Sequence, residues 1–164
     1  MSVPEIKMRL TTRSIEKAIN EVKAYKRQLS EKTEALIKAL VDKGVEIAKA
    51  QVRELGAVYT GQLEESITGF FDPEVGIGII RAGAPYAVYV EFGTGIVGKQ
   101  KPHPAPEGWK YDINEHGEKG WVYFNERDQK WHWTKGMESR PFMYNTLLEL
   151  QRQVEDIARE VFGQ

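Results

Sequence analysis

Pro85-Tyr86-Ala87-Val88-Tyr89-Val90-Glu91-Phe92-Gly93-Thr94-Gly95 is the stretch on which the reading of this chain turns. A proline suited to opening a helix leads an aromatic-rich turn or two, and a glycine pair stops them. About forty-five residues later stands a second short string, Arg140-Pro141-Phe142-Met143. Neither holds a nucleophile, a metal cage or a phosphate cradle. Both have the make-up of devices that dock one packed surface on another, which turns the search towards assembly.

Periodicity supplies the elements around these strings. Ile6, Met8 and Leu10 alternate with Lys7 and Arg9, which predicts a short, half-buried strand over 5–10. Thr11, Thr12 and Ser14 are candidate N-caps for a helical tract over 14–55. Its apolar stripe runs through Ile15, Ala18, Ile19, Val22, Tyr25 and Leu29, then resumes from Leu36 to Leu55 at three-four spacing. Gly44 interrupts the stripe, at about 1 kcal/mol relative to alanine. Unbroken, the tract would be about 60 Å long at ~1.5 Å per residue. That is long for a compact domain of this size, so the expectation is a kink or break near Leu29-Ser30, or else projection towards a neighbour.

Gly56 closes the tract, and Thr60 can cap a short turn carrying Leu63. Two strands follow, Ile67 to Phe71 and Val75 to Arg81, joined by Asp72-Pro73-Glu74, a turn that keeps proline out of the ladder. Gly76 and Gly78 alternate with Ile77 and Ile79 and leave one face nearly bare. A bare face admits another backbone, or is simply tolerated at an edge. A short helix over 85–92 comes next. The stretch from Ile96 reads as a proline-spaced loop through Pro102, Pro104 and Pro106. Trp121-Val122-Tyr123-Phe124 and Trp131-His132-Trp133-Thr134 then flank a polar turn, a hairpin signal. Loop and aromatic hairpin together form an insertion over 96–138. Met143, Leu147, Leu150, Val154, Ile157 and Val161 mark an amphipathic C-terminal helix over 142–162. The prediction is one α+β domain over 1–164. A long, kinked or straight N-terminal helix and a C-terminal helix pack on a small, mainly antiparallel sheet, and a tryptophan-rich β-hairpin protrudes.

Composition excludes several classes. The 164 residues are 41% apolar and 29% charged, ordinary for a globular domain large enough to bury a core. No apolar run approaches the ~20 residues that cross a bilayer, and residues 1–10 lack the apolar core of a signal peptide. The expectation is a protein that stays in the cytoplasm where it is made, unless it is carried out as part of something larger. Cysteine is absent, so thiolate chemistry and Cys-ligated zinc are excluded. Twenty-three basic residues against 24 acidic give a net charge of −1, which does not favour tight phosphate-backbone binding.

The remaining candidates for chemistry are thin. His103, His116 and His132 stand 13 and 16 residues apart across a loop, without the spacing of a metal site, and read as surface histidines. Gly93-Thr94-Gly95 with Gly98-Lys99 lacks the full phosphate-loop pattern. Glu91, flanked by Val90 and Phe92, reads as a half-buried carboxylate that needs a partner, with Arg140 or Arg81 available to pin the helix. On a hairpin, Trp121 and Tyr123 project to one side of one strand, and Trp131 and Trp133 to one side of the other. They make either the hairpin's own packing or a partner surface. Gly76, Gly78, Trp121, Tyr123, Trp131 and Trp133 are therefore the candidate interface.

Thr60-Gly61-x-Leu63-x-x-Ser66-Ile67, then Pro85-Tyr86-Ala87-x-Tyr89-Val90-Glu91-Phe92-Gly93-Thr94, then Arg140-Pro141-Phe142-Met143 ahead of an amphipathic helix, resembles one phage family. It is similar to the small neck proteins of long-tailed phages and phage-like tail particles, the head–tail joining, tail-completion or tail-terminator minor structural proteins. The likeness spans about residues 30 to 162. The chain departs in carrying Asn145 where members often have a second proline, and in the length of the 96–138 segment. The resemblance implies a non-enzymatic virion protein without cofactor or metal, located at the neck. It implies a ring of six copies that ends the tail tube and meets the head connector, with DNA passing through the lumen unbound. Tyr86, Tyr89, Glu91, Phe92, Gly93, Arg140, Pro141 and Phe142 would organise the subunit core or its seam. The alternatives are a small metal-dependent hydrolase using the three histidines, or a DNA-binding accessory protein.

Overall fold

The computed structural model of the chain describes residues 11–58, 60–112, 114–125 and 127–163. The strand expected over 5–10 lies outside them. Helix α1 spans Thr12–Glu54 in one piece, so the break expected near Leu29-Ser30 does not occur. No glycine or proline stands between Thr12 and Lys43, and every residue there keeps its backbone donor. Thr33 bonds back to the Leu29 carbonyl at 2.8 Å and stays within the helix. Exposed Lys17–Glu21, Arg27–Glu31 and Glu34–Lys38 pairs add a few tenths of a kcal/mol each, about the i,i+4 value. The Thr11 hydroxyl caps the start by accepting the Ser14 N–H. Gly56, at φ +62°, closes the end: its N–H donates to the Arg53 carbonyl and that of Ala57 to Val52. That is a Schellman motif, with Ala57 and Val52 both in the core.

After α1 come α2 (Gln62–Glu65), β1 (Ile67–Asp72), β2 (Ile77–Ala82), α3 (Ala87–Phe92) and α4 (Gly95–Gln100). A 3₁₀ turn at Gly117–Lys119, β3 (Trp121–Asn125), β4 (Lys130–Thr134) and α5 (Phe142–Gly163) complete the chain. The fold is α+β, with its strands divided between two separate antiparallel pairs, β1–β2 and β3–β4. β2 begins two residues later than the alternation suggests. Asp72 Oδ1 accepts the Glu74 and Val75 N–H groups, and Gly76, at φ +67°, turns the chain into the strand. The segment expected as loop from Ile96 starts as α4.

α5 lies antiparallel along α1. Asn145 Nδ2 donates to Gln51 Oε1 at 2.9 Å near one end, and Lys32 Nζ donates to the Phe162 carbonyl at 3.2 Å at the other. The part of α1 before Leu29, roughly 27 Å of helix at ~1.5 Å per residue, therefore runs past the end of α5.

The β1–β2 pair lies on the middle of α1, and glycines set how closely. Pairing of Gly69 with Ile80 and Phe71 with Gly78 puts these residues on the inner face, and Phe70, Ile77 and Ile79 on the outer one. A Cβ on Gly78 would stand 2.5 Å from Val41 Cγ2 and 2.9 Å from Ile37 Cγ2. The backbone that uses this bare face is the chain's own helix. Gly44 has the matching role on α1, where an added Cβ would strike Ile80 and Leu150. Helix, sheet and α5 converge there, which offsets its low helix propensity. The core gathers towards the C-terminal end of α1, around Val52, Leu63, Ile67, Val90 and Phe142.

Gly78→Val should destabilise the protein by about 1–3 kcal/mol in denaturant titration, because Val41 is held stiffly in a helix and cannot retreat. Ile79→Thr, one residue on but facing outward, should move stability by less than about 0.5 kcal/mol. Equal effects would mean that the register is wrong.

Candidate functional site

The two sequence strings meet. α3 is only six residues long and cannot satisfy its own terminal carbonyls, and α5 begins with N–H groups that lack partners. Each supplies what the other needs. The Arg140 N–H donates to the Val90 carbonyl at 2.9 Å, and the Ser139 hydroxyl donates to the Glu91 carbonyl at 2.5 Å. In return the Glu91 carboxylate accepts the N–H groups of Met143 at 2.8 Å and Tyr144 at 2.9 Å, in the first turn of α5. Pro141, which has no N–H to leave unsatisfied, precedes that turn, and Phe142 anchors it at 1% exposure.

Glu91 is 7% exposed. Its pinning role holds, but the expected partner does not: neither Arg140 nor Arg81 reaches it. The third donor is His103, whose Nε2 lies 3.1 Å from Glu91 Oε1. Nδ1 of the same ring lies 2.9 Å from the Ala105 carbonyl and 3.0 Å from the Ala105 amide, which holds the ring with Nε2 facing the carboxylate. Three donors and the positive end of the α5 dipole together make burial of this charge tolerable. A carboxylate so fully occupied is a structural group.

His103 is the clearest departure from the sequence reading. It is 4% exposed, not a surface residue. Pro102 and Pro104 on either side carry the loop back across α3. Phe92 lies between the rings of His103, at 4.4 Å, and Trp109, at 5.0 Å, and Trp109 Nε1 donates to the Gly93 carbonyl at 3.0 Å. Trp109 thus belongs to α3, apart from the hairpin tryptophans. His116 packs on Trp121 and His132 pairs with Asp128, so the three imidazoles do not share a site. No group of three metal-ligating side chains occurs among the described residues.

Gly93 and Gly95 carry positive φ, and Thr94 and Gly95 bridge Met137 and Gly136 in antiparallel fashion. A Cβ on Gly93 would come 2.7 Å from the Ser139 amide. Lys101 Nζ, 2.6 Å from Glu138, ties the end of α4 to the segment that follows Met137. That hydrogen bond, and then the lysine's charge, hold the exposed Glu138 carboxyl below the ordinary glutamate range.

The hairpin register separates residues that the sequence grouped. Trp121 pairs with Thr134 and Tyr123 with His132 on one face; Val122 pairs with Trp133 and Phe124 with Trp131 on the other. Trp131 and Trp133 are 70% and 59% exposed. The Trp121–Tyr123 face turns towards the body across an open cleft of about 870 Å³, whose other walls include Ala57, Tyr86, Tyr89 and Arg140. The Arg140 guanidinium, on the cleft wall, adds its charge to that of Lys101 in lowering the Glu138 carboxyl. Gly76, in its turn, has open space where a side chain would stand.

Glu91→Ala should lose about 2–4 kcal/mol in denaturant titration, because it removes a helix cap and leaves His103 unsatisfied. Arg140→Gln should lose less than about 1 kcal/mol, since residue 140 hydrogen-bonds through its backbone. The reverse order would restore the arginine as the partner.

No curated protein and no solved structure matches the chain. Residues 20–93, a little under half of the sequence, match the model of the HK97-gp10-like family, described as "Bacteriophage HK97-gp10, putative tail-component". The match runs through α1, the β1–β2 pair and α3 and stops at Gly93, short of the hairpin and the Arg140 string. The chain is thus similar, from the greater part of its long helix to the end of the Tyr-Phe turn, to a tail component of a phage, which supports a tail-associated structural protein.

Proposed function

We propose that this protein is a structural component of a phage or prophage-derived tail particle that acts at the head–tail joint. Copies form a ring, with six subunits as the expected number. The ring completes the tail tube and presents a surface to the head connector, while DNA passes through its lumen without specific recognition. The protein would be made in the host cytoplasm and reside in the particle neck. Its groups serve packing and capping, so no bond is made or broken.

One observation carries this reading. Around the fixed corner of α3 and α5, the hairpin leaves Val122, Phe124, Trp131 and Trp133 together on an outer face, each more than two-fifths exposed. A monomer has no use for two bare indoles, whereas Trp is concentrated in the anchors of protein interfaces. The β1–β2 pair adds Phe70, Ile77 and Ile79 on its own outer face. A near-neutral net charge suits a ring through which DNA slides.

Electron microscopy of tail particles lacking this protein should show overlong tubes or tubes without heads. Tubes of normal length with heads attached would overturn the reading. Trp131→Ala with Trp133→Ala should leave circular dichroism and stability nearly unchanged, yet give the same particle defect. Each buried indole anchor is worth about 2 kcal/mol or more across an interface.

A further inference from the structure

The near-zero total charge hides an uneven distribution. Residues 12–29, the arm of α1 that runs past α5, carry Arg13, Lys17, Lys23, Lys26 and Arg27 against Glu16 and Glu21. The arm is therefore +3 in a chain of net −1, which leaves −4 for the rest. At about 100° per residue, Arg13, Lys17, Lys23 and Arg27 fall within an arc of about 120°, and Glu16 is the arm's one carboxylate inside it. All four cations are exposed. Lys17 and Arg27 approach Glu21 and Glu31 at 3.8 and 3.7 Å, pairs too well solvated to cancel much charge. Arg13 and Lys23 form no ion pair among the described residues. Ala18, which is buried, lies on the opposite side of the helix.

The other residues in that arc decide the partner. They are Asn20 and Ala24, with no aromatic or large aliphatic side chain among them. A protein partner would need such an anchor, and lysine is depleted at protein interfaces. A lipid surface takes the apolar side of an amphipathic helix, here already covered at Ala18. Single-stranded nucleic acid wants rings on which bases stack. A row of cations with one short amide suits phosphates, which Lys, Arg and Asn bind without apolar contact. We propose that this basic face of the α1 arm contacts the phosphate backbone of duplex DNA, about three phosphates at a time, without reading sequence. The contact spans Arg13 to Arg27, on the order of 21 Å at ~1.5 Å per residue. It rests on the tail reading for where such DNA is met, and it gives that reading a surface on which the DNA slides. Few phosphates and full solvation keep the contact weak and quickly exchanged.

Fluorescence anisotropy of a labelled random-sequence duplex, titrated with the full chain, tests this. Affinity should fall about 40-fold between 50 and 200 mM salt, the slope of about −0.9 per phosphate taken over three phosphates. Arg13→Gln with Lys23→Gln and Arg27→Gln, checked for native circular dichroism, should bind at least about tenfold more weakly at low salt, with a slope shallower than about −1. Arg13→Lys with Arg27→Lys should keep the wild-type slope, because phosphate contact needs charge. Lys38→Gln with Arg152→Gln and Arg159→Gln removes the same charge elsewhere and should bind within about threefold of wild type. Equal losses in the two glutamine triples would reduce the effect to net charge and overturn the contact. So would the absence of any binding at low salt. Tighter binding of labelled poly-glutamate, or of phosphatidylglycerol vesicles, through the same side chains would assign the face to a protein or a membrane and also overturns it. None of these failures touches the role at the tail, which the particles lacking the protein decide. Normal particles would remove that role and leave a measured arm–DNA contact in place.

Discussion

A six-residue helix has no stability of its own, and a helix that begins at a proline starts with donors and no cap. Glu91 resolves both problems with one carboxylate. Its two oxygens sit under the first N–H groups of α5 while the backbone just before α5 closes the end of α3. Removing either side leaves unsatisfied groups in the interior on both. The corner therefore forms as a unit or not at all. His103 then extends it, since its bond to Glu91 fixes a loop that brings Trp109 over Phe92. Tyr86, Tyr89 and Arg140, on the body side of the cleft, hang from this corner.

A second constraint is the closeness of α1 to what covers it. Gly69 and Gly78 let the sheet backbone rest on Val41, and Gly44 lets Ile80 and Leu150 reach the helix. With side chains there, the two-stranded sheet would stand off and lose the dispersion contacts that hold so small a sheet. A two-stranded pair is at best marginal in water without such a support. The long helix acts as that support. It is unbroken because nothing in its first thirty-two residues removes a backbone bond, not because a second helix holds it all along.

The sequence showed the parts whose signal is local. Three-four spacing gave both long helices, and the polar turn between Phe124 and Trp131 gave the hairpin. Composition marked the Tyr-Phe turn and the Arg-Pro string as docking devices, but pointed from one to the other only through Glu91's need of a partner, for which Arg140 was one of two choices. What stayed hidden depends on contacts that no residue letter encodes. Glu91 was matched with an arginine because charged side chains are visible in a sequence, whereas the backbone N–H groups that it binds look the same everywhere. His103 and Trp109 lie in a stretch without periodicity, and their burial comes wholly from tertiary packing. The Pro102, Pro104, Pro106 spacing was the available hint of an ordered loop. The faces of the hairpin hinge on register, which a single-residue slip would invert. The break expected near Leu29-Ser30 does not occur because length alone does not interrupt a helix that keeps every backbone donor.

The placement of apolar surface follows from the same interior. Since α3, α5 and the proline loop satisfy one another, no aromatic from the hairpin is needed to complete the core, and Trp131 and Trp133 can remain outside. The same holds for the early part of α1, which extends beyond the element that covers the rest of it. A core that closes without these residues leaves them with two different addresses, one at each end of a rigid rod. Two distinct surfaces on one rod are joined either reciprocally across a two-fold axis, each meeting the other kind on the second copy, or by successive copies related by rotation, which close into a ring or continue as a filament.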